Sequence, residues 1–338
     1  MAKDFIVAIE LGSSKMTGIA GRKNPDGSIS ILAVAKEDSA SYIRKGVAYN
    51  IERTAQGLSN IVSKLKNTLK TEIEQVYVGI GGQSIHSVKN SIVKELPLDC
   101  IVSQDMVNEL MDTNRSMEYK DCEILDAITQ EYNVDGHYED DPVGIQARHL
   151  EGNFLNVLWR RSFYRNLNKS LDNSGIKVAE MYLAPLTMAD CVLTDAEKRA
   201  GCVLVDLGAD TTTVSVYYRN KLRHIAVLPL GGSNVTKDLE SLQIDEINAE
   251  AMKLKHASAL TNEKDIDADA TLPIGDGRTI PSRMFIQVVE ARMLEIVENV
   301  KYLVPHEFAD KLLGGIVLTG GGSNMKNVEK LFHEVFDV

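Results

Sequence analysis

The sequence has one tryptophan, four cysteines and eight prolines in 338 residues. It also has no apolar run approaching the ~18–20 residues that a membrane-spanning helix needs. Cys100, Cys122, Cys191 and Cys202 lack the paired spacing of a zinc site or a disulfide framework and read as reduced thiols of a cytoplasmic protein. The seven histidines (His86, His137, His149, His224, His256, His306, His333) show no metal-binding spacing either. No G-x-x-x-x-G-K-[ST] loop occurs, and Gly79-Ile80-Gly81-Gly82 fails the dinucleotide pattern because Ser84 stands where its last glycine belongs. A nucleophile elbow of the form G-x-S-x-G and a Cys/His protease signature are both missing. Positive charge is in deficit, with 37 Lys and Arg against 48 Asp and Glu, a formal charge of −11. That disfavours nucleic acid, whose phosphates require a basic surface. Trp159 beside Arg160, Arg161 and Arg165 therefore reads as packing next to a solvated basic face. Residues 1–5 lead straight into a strand-like run with no signal peptide.

What is present is ordinary for a globular protein: 44% apolar and 25% charged residues, in a length that suggests two or three lobes. The acidity is uneven. Between Asp105 and Asp141 stand twelve acidic residues and two basic ones, nearly the whole imbalance.

The most informative pattern is an internal repeat. Ile6-Val7-Ala8-Ile9-Glu10-Leu11-Gly12-Ser13-Ser14-Lys15 leads into the strand-like Met16–Ala20. Far downstream, Cys202-Val203-Leu204-Val205-Asp206-Leu207-Gly208-Ala209-Asp210-Thr211-Thr212-Thr213 leads into Val214–Tyr217. Each copy reads as apolar strand, acid, one apolar residue, glycine, small polar cluster and second strand. A turn and a third strand then follow (Ile29–Ala35 and Leu222–Leu228). The unbroken apolar runs predict first strands buried on both faces. A glycine between two strands lets backbone N–H groups approach an anion, and nearby hydroxyls add donors. The acids Glu10 and Asp206 would repel phosphate unless a cation lies between, so they suit Mg2+ or its water shell. Two such turns can clamp a nucleotide polyphosphate from both sides. A third cluster, Gly320-Gly321-Gly322-Ser323, joins a strand to a helical pattern and suits a ribose, a base edge or an α-phosphate as well as it suits a plain tight connection. Gly231-Gly232 after the strand Ile225–Leu230 is a similar case.

These residues resemble the superfamily of actin, heat-shock chaperone ATPases and sugar kinases. Glu10–Lys15 matches its phosphate 1 motif, Asp206–Thr213 its phosphate 2 motif and Leu318–Ser323 its adenosine motif. Within that superfamily the chain is similar to the FtsA family of bacterial cell-division actin homologues. The similarity rests on Ile43-Arg44-Lys45-Gly46-Val47, Asn50-Ile51-Glu52, Val76–Gly82, Asp141–Gly144, Leu193–Lys198 and Pro229–Gly232. It implies an α/β, actin-like fold of two RNase H-like halves around a nucleotide cleft, with an inserted small domain (1C) and a subdomain 2B. The implied limits are 1–83 and 163–195 for 1A, 84–162 for 1C, 196–235 and 304–338 for 2A, and 236–303 for 2B. The insertions suit a polar stretch over 94–141 and a polar loop over 261–278 leading into a helix from Ser282 to Lys301.

The resemblance also implies function: ATP and Mg2+ in the cleft, self-association into filaments, and recruitment of the tubulin-like FtsZ, whose C-terminal peptide would meet 2B. Other division proteins would meet 1C. Membrane contact would come from a C-terminal amphipathic helix, expected to lie outside this chain. The implied nucleotide contacts are Gly12, Ser13, Ser14, Lys15, Gly208, Ala209, Asp210, Thr211, Thr212, Gly231, Gly232, Gly320, Gly321, Gly322 and Ser323. Glu250 and Lys253 join them on a helix over 247–255 that otherwise reads as a solvated face. Glu10 and Asp206 would face the metal. The chain departs from the superfamily pattern in Glu10 for aspartate, Ala209 and Asp210 for glycines, and Thr213 for aspartate. Ala184 stands where several members place a water-orienting carboxylate or amide, so hydrolysis is expected to be slow or negligible. The competing readings are an ATP-dependent phosphotransferase and a pilus-assembly-type adaptor. Arg283–Arg292 reads as a basic edge, and the acidic run of 1C either as a solvated face or as a means of steering a neighbour.

Overall fold

The computed structural model describes residues 5–262, 267, 269–275 and 277–337. The chain opens with three antiparallel strands, β1 (Ile6–Leu11), β2 (Lys15–Lys23) and β3 (Ile29–Asp38), and a small hairpin, β4 (Ile43–Arg44) with β5 (Val47–Ala48). Helix α1 (Ile51–Leu69) follows. Asn50 caps its start by accepting the Arg53 N–H at 3.0 Å, and Leu58, Ile61 and Leu65 bury one face at helical spacing. β6 (Val76–Ile80) then pairs parallel with β1.

An inserted lobe interrupts this half. It contains β7 (His86–Glu95), α2 (Gln104–Arg115), β8 (Cys122–Val134), β9 (His137–Glu139) and β10 (His149–Arg160). The lobe has its own small core, including Val102, Leu110, Leu150 and Phe154. A buried pair, Asn114 and Asn156, is satisfied by reciprocal bonds of 2.7 and 2.9 Å. The chain returns through α3 (Arg161–Ser174), which packs on α1, and β11 (Val178–Leu183), giving the sheet order β11-β6-β1-β2-β3.

Two short helices, α4 (Ala184–Val192) and α5 (Asp195–Ala200), lead to the second half. α5 starts with a capping box in which the Thr194 side chain and Glu197 satisfy each other's backbone N–H groups. The repeat reappears as β12 (Cys202–Leu207), β13 (Thr212–Tyr218) and β14 (Lys221–Leu228), followed by α6 (Gly232–Glu240) and α7 (Glu246–His256). The segment expected to be a polar loop carries a hairpin instead, β15 (Thr271–Gly275) with β16 (Arg278–Pro281); positions 263–266, 268 and 276 lie outside the described residues. Ile274 and Ile280 turn inward into the core of this half, which is what makes a mostly polar stretch form strands. α8 (Ser282–Leu303), β17 (Ile316–Thr319, parallel to β12) and α9 (Val328–Phe336) complete the chain.

The two first strands differ in burial. β12 is buried on both faces as expected, with Val203 and Val205 packed in one core and Cys202 and Leu204 in the other. β1 is not. Its residues alternate, with Val7 and Ile9 inside and Ile6 56% exposed, because the helices of this half cover only one side of the sheet.

The inserted lobe is joined to the second half. β7 meets β14 at His86 and Ala226, so one eight-stranded sheet runs from β17 to β9. The seam is polar. Lys221 pairs with Asp140 at 2.6 Å, and Arg223 pairs with Glu131 at 3.5 Å and donates to Gln130 at 3.0 Å. Lys89 pairs with Glu307 at 2.6 Å. Part of the acidity between Asp105 and Asp141 therefore serves inside the molecule. Glu123 binds Arg161 at 2.7 Å and Glu109 binds Lys94.

Candidate functional site

The acids near the ends of β1 and β12 act on each other electrostatically, and the residues proposed from sequence lie on these strands, in the turns that follow them, in the glycine segments after β14 and β17, and on α7. In the first turn, Ser39 Oγ donates to the Gly12 carbonyl at 2.6 Å, and the Ser39 N–H donates to the Ser14 carbonyl at 3.3 Å. A Cβ on Gly12 would lie 2.6 Å from the Lys15 carbonyl, so the turn closes only without one. Lys15 itself is exposed, and its charge acts on Glu10.

In the second turn, the Gly208 N–H donates to the Thr211 carbonyl at 2.9 Å. The start of α6 is tied onto this turn. The Gly232 N–H donates to the Gly208 carbonyl at 2.9 Å, and the Ser233 N–H to the Ala209 carbonyl at 2.7 Å. Thr212 Oγ1 donates to the Leu230 carbonyl at 2.9 Å. A Cβ on Gly231 would stand 2.5 Å from the Ala209 carbonyl oxygen, which explains this glycine, whereas one on Gly232 would make only ordinary contacts.

The third cluster closes onto the same place. Gly320 has φ +85°, and a Cβ there would overlap the Asp206 carboxylate. Ser323 Oγ donates to the Gly320 carbonyl at 2.7 Å. A Cβ on Gly321 would meet nothing within 4 Å, so this glycine borders open space.

Glu250 and Lys253 come to the Gly232 turn but bind each other. Lys253 Nζ donates to Glu250 Oε2 at 2.7 Å, Thr236 Oγ1 at 2.9 Å and the Gly232 carbonyl at 3.1 Å. Its side chain is only 12% exposed, so the alternative of a solvated helical face does not hold for it.

Glu10 and Asp206 set the electrostatics. Burial between the halves pushes the Glu10 carboxyl above the usual carboxylate range, and the Asp206 charge pushes it further, against Lys15. Glu10 nevertheless remains exposed to water. Burial raises the Asp206 carboxyl too. Two carboxylates that resist ionising together fit a divalent cation held largely by water and phosphate. Among the described residues no group of three or more His, Cys, Asp and Glu forms a metal cage.

Ala184 lies beside this site. A Cβ on Gly79 would be 3.7 Å from the Ala184 methyl and 4.0 Å from Glu10 Cγ, so residue 184 brings a methyl, and no polar side chain, to the neighbourhood of Glu10.

Sequence reasoning missed the hairpin of β4 and β5 as part of the site. Lys45 (φ 50°) and Gly46 (φ 73°) form its two-residue turn. The Lys45 N–H donates to Asp210 Oδ2 at 3.1 Å, and the Gly46 N–H to Ser13 Oγ at 2.8 Å. One hairpin tip thus touches both phosphate-type turns. Gly82 packs so tightly on Gly46 that neither tolerates a Cβ. The Gln83 N–H donates to the Lys45 carbonyl at 2.8 Å, and Trp159 Nε1 to the Gln83 carbonyl at 3.0 Å, linking the tip to the base of the inserted lobe. Gly46 suits a position of positive φ, but Lys-Gly is not a favoured hairpin dipeptide, and nothing local ties it to residue 210.

The basic edge from Arg283 to Arg292 is partly engaged within the protein. Arg292 is held by Asp238 at 2.5 and 3.0 Å and by Glu295.

Known proteins share this architecture. The family profile for "SHS2 domain inserted in FTSA" matches residues 82–158, and that for "Cell division protein FtsA" matches residues 203–338. The cell division protein FtsA of Porphyromonas gingivalis is 32% identical over 97% of this chain and 71% of its own length. Among solved structures, the PilM-PilN type IV pilus biogenesis complex superposes with a TM-score of 0.64 at 14% identity, covering 98% of this chain and 86% of that one. MreB5 of Spiroplasma citri bound to ADP gives 0.58 at 13% identity, covering 99% and 90%. The fold is therefore actin-like, with two RNase H-like halves around a cleft, a 1C-type insertion and a 2B subdomain. By its family profiles and its relative in P. gingivalis, the chain belongs to the FtsA family of cell division proteins.

Proposed function

We propose that this chain binds ATP with Mg2+ in the cleft and acts as a polymerising scaffold that recruits FtsZ to the inner membrane during division. The observation that carries the nucleotide reading is the convergence of two glycine turns, each following an acid, on one hairpin tip. Gly12, Ser13, Ser14 and Lys15 would hold phosphate from one side, and Gly208 to Thr212 from the other. Gly320 to Ser323, with the open space beside Gly321, would border the adenosine. Glu250 and Lys253, fixed to α6, would frame the ribose side. Glu10 and Asp206 would orient the water shell of Mg2+, whose charge supplies the counterpart that two raised carboxylates lack. An ADP-bound structure of a neighbour with the same fold supports the assignment.

Hydrolysis is expected to be slow or negligible. Residue 184 offers no polar side chain beside Glu10, and loss of a water-positioning group typically lowers a rate ~10²–10⁴-fold. A turnover comparable with that of a sugar kinase would contradict this and favour a phosphotransferase. Family membership favours the division role over a pilus adaptor.

The limits of 1C given above are supported by the separate core of the inserted lobe, although its sheet continues into that of the second half. The FtsZ C-terminal peptide would bind 2B, other division proteins would bind 1C, and copies of this chain would stack into filaments. Membrane contact at the division site, on the cytoplasmic side, belongs in this reading to a C-terminal amphipathic helix and not to the residues described above. Among the described residues no helix is long and apolar enough to cross a membrane.

Titration of the chain with an FtsZ C-terminal peptide, with MgATP present, tests the division role. Saturable binding that is lost with a scrambled peptide is expected; equal binding of both peptides, or none, overturns it.

A further inference from the structure

Asp210 sits on the second phosphate-type turn, yet its carboxylate reaches across to the first half. It accepts the Lys45 N–H at 3.1 Å, while the adjacent Gly46 N–H is taken by Ser13 Oγ of the first turn at 2.8 Å. Lys45 and Gly46 both have positive φ, the conformation in which a two-residue hairpin turn directs its central N–H groups outward. The tip therefore offers two successive donors to the cleft, and one of them already holds a negative oxygen. That oxygen ties the second turn to the hairpin tip, and the tip's next N–H ties it to the first turn, so the two turns that would grip a terminal phosphate are joined through the tip.

We propose that Asp210 is a specificity-determining residue: its carboxylate latches the two halves together in the absence of nucleotide, and a terminal phosphate must displace it. The displacement part rests on the nucleotide-binding reading above; the latch does not. A γ-phosphate brings its charge to the carboxylate, whereas a diphosphate ends one group short. Asp210 thus biases the cleft toward diphosphate. Replacing the carboxylate by an uncharged group removes the repulsion, and at a separation of a few ångströms in a partly solvated cleft that is worth about tenfold in relative affinity.

Two variants separate charge from hydrogen bond. Asp210→Asn keeps an acceptor oxygen for the Lys45 N–H and loses the charge; Asp210→Ala loses both. The ligand-free full chain is first compared by hydrogen exchange at the Lys45 amide. Asp210→Ala should expose this amide at least about tenfold, and Asp210→Asn should leave it protected. Equal protection in all three proteins overturns the latch. Calorimetric titration with MgATP and with ADP follows. Both variants should raise the ratio of MgATP to ADP affinity about tenfold, and a ratio unchanged within about twofold overturns the displacement. If neither nucleotide binds any of the three proteins, the nucleotide reading falls and takes displacement with it. The exchange result still decides the latch.

Discussion

In the first half, β1 presents alternate residues to water, Glu10 ends it, and the turn that follows is built from hydroxyls and a lysine. In the second, β12 is enclosed on both faces, Asp206 ends it, and the turn carries Ala209 and the acid Asp210. The duplicated device thus has the same backbone in two environments. The second half is held rigidly: α6 is bonded to its turn, and Gly320 leaves no room beside Asp206. The first half is held by small contacts from Ser39 and from the hairpin tip. A rigid jaw opposite an adjustable one suits a cleft that must close on a ligand and reopen.

That contrast can be broken at several points. The largest effect is expected in the enclosed strand. Leu204→Ala should lower stability by about 2–5 kcal/mol, through lost burial and the cavity left behind, measured by denaturant unfolding. Ile6→Ala, at the equivalent face of the open strand, should cost well under ~1 kcal/mol. Equal costs would remove the distinction between the halves.

Next is Gly46→Ala, which places a Cβ against Gly82 at a positive φ. It should destabilise by about 1–3 kcal/mol and loosen the junction near Trp159. The red shift of the single tryptophan's emission as water reaches it reports this.

A smaller effect concerns pH. Glu10 and Asp206 have folded-state carboxyl groups that hold protons more tightly than in the unfolded chain. The folded state then binds more protons, so this contribution to stability is complete below the ordinary carboxylate value of ~4 and is lost as pH rises through the raised folded values. Ligand-free protein should gain less in thermal midpoint on acidification from pH 7 to 5 when Glu10→Gln is introduced. Mg2+ added at pH 7 should stabilise the wild type more than that variant.

The smallest effect lies at the seam between the inserted lobe and the second half. Asp140 is held below the usual carboxylate range chiefly by its hydrogen bond to Lys221 and by that lysine's charge. Its contribution is present above the unfolded carboxylate value and is lost as pH falls through the lowered folded one. The pair is exposed, so Lys221→Ala should change global stability by under ~1 kcal/mol. It should nevertheless raise hydrogen exchange in β7, and added salt should reproduce part of that rise.

Much of this was legible in the sequence because it depends on local chemistry. The repeat with its acids at residues 10 and 206, the glycine cluster from 320 to 322 and the helices over 247–255 and 282–301 all follow from apolar spacing and turn residues. The open face of β1 was not legible, because a near-continuous apolar run reads the same whether one or both sides of a sheet are covered. The hairpin of β15 and β16 was obscured by polar residues, with Ile274 and Ile280 turned inward and Leu272 packed partly against the same core. The bond from Lys45 to Asp210 joins positions 165 residues apart, and no local pattern encodes it. The acidity of the inserted lobe looked like a surface property until Asp140 and Glu131 were found facing Lys221 and Arg223.

The central claim is that both turns grip one polyphosphate. It is tested most directly by calorimetric titration of MgATP into the wild type, Gly12→Val and Gly208→Val, with thermal unfolding confirming that each variant is folded. The account predicts saturable binding by the wild type and a loss of at least about tenfold in each variant, since either side chain intrudes on its turn. Undiminished binding in either folded variant would contradict it.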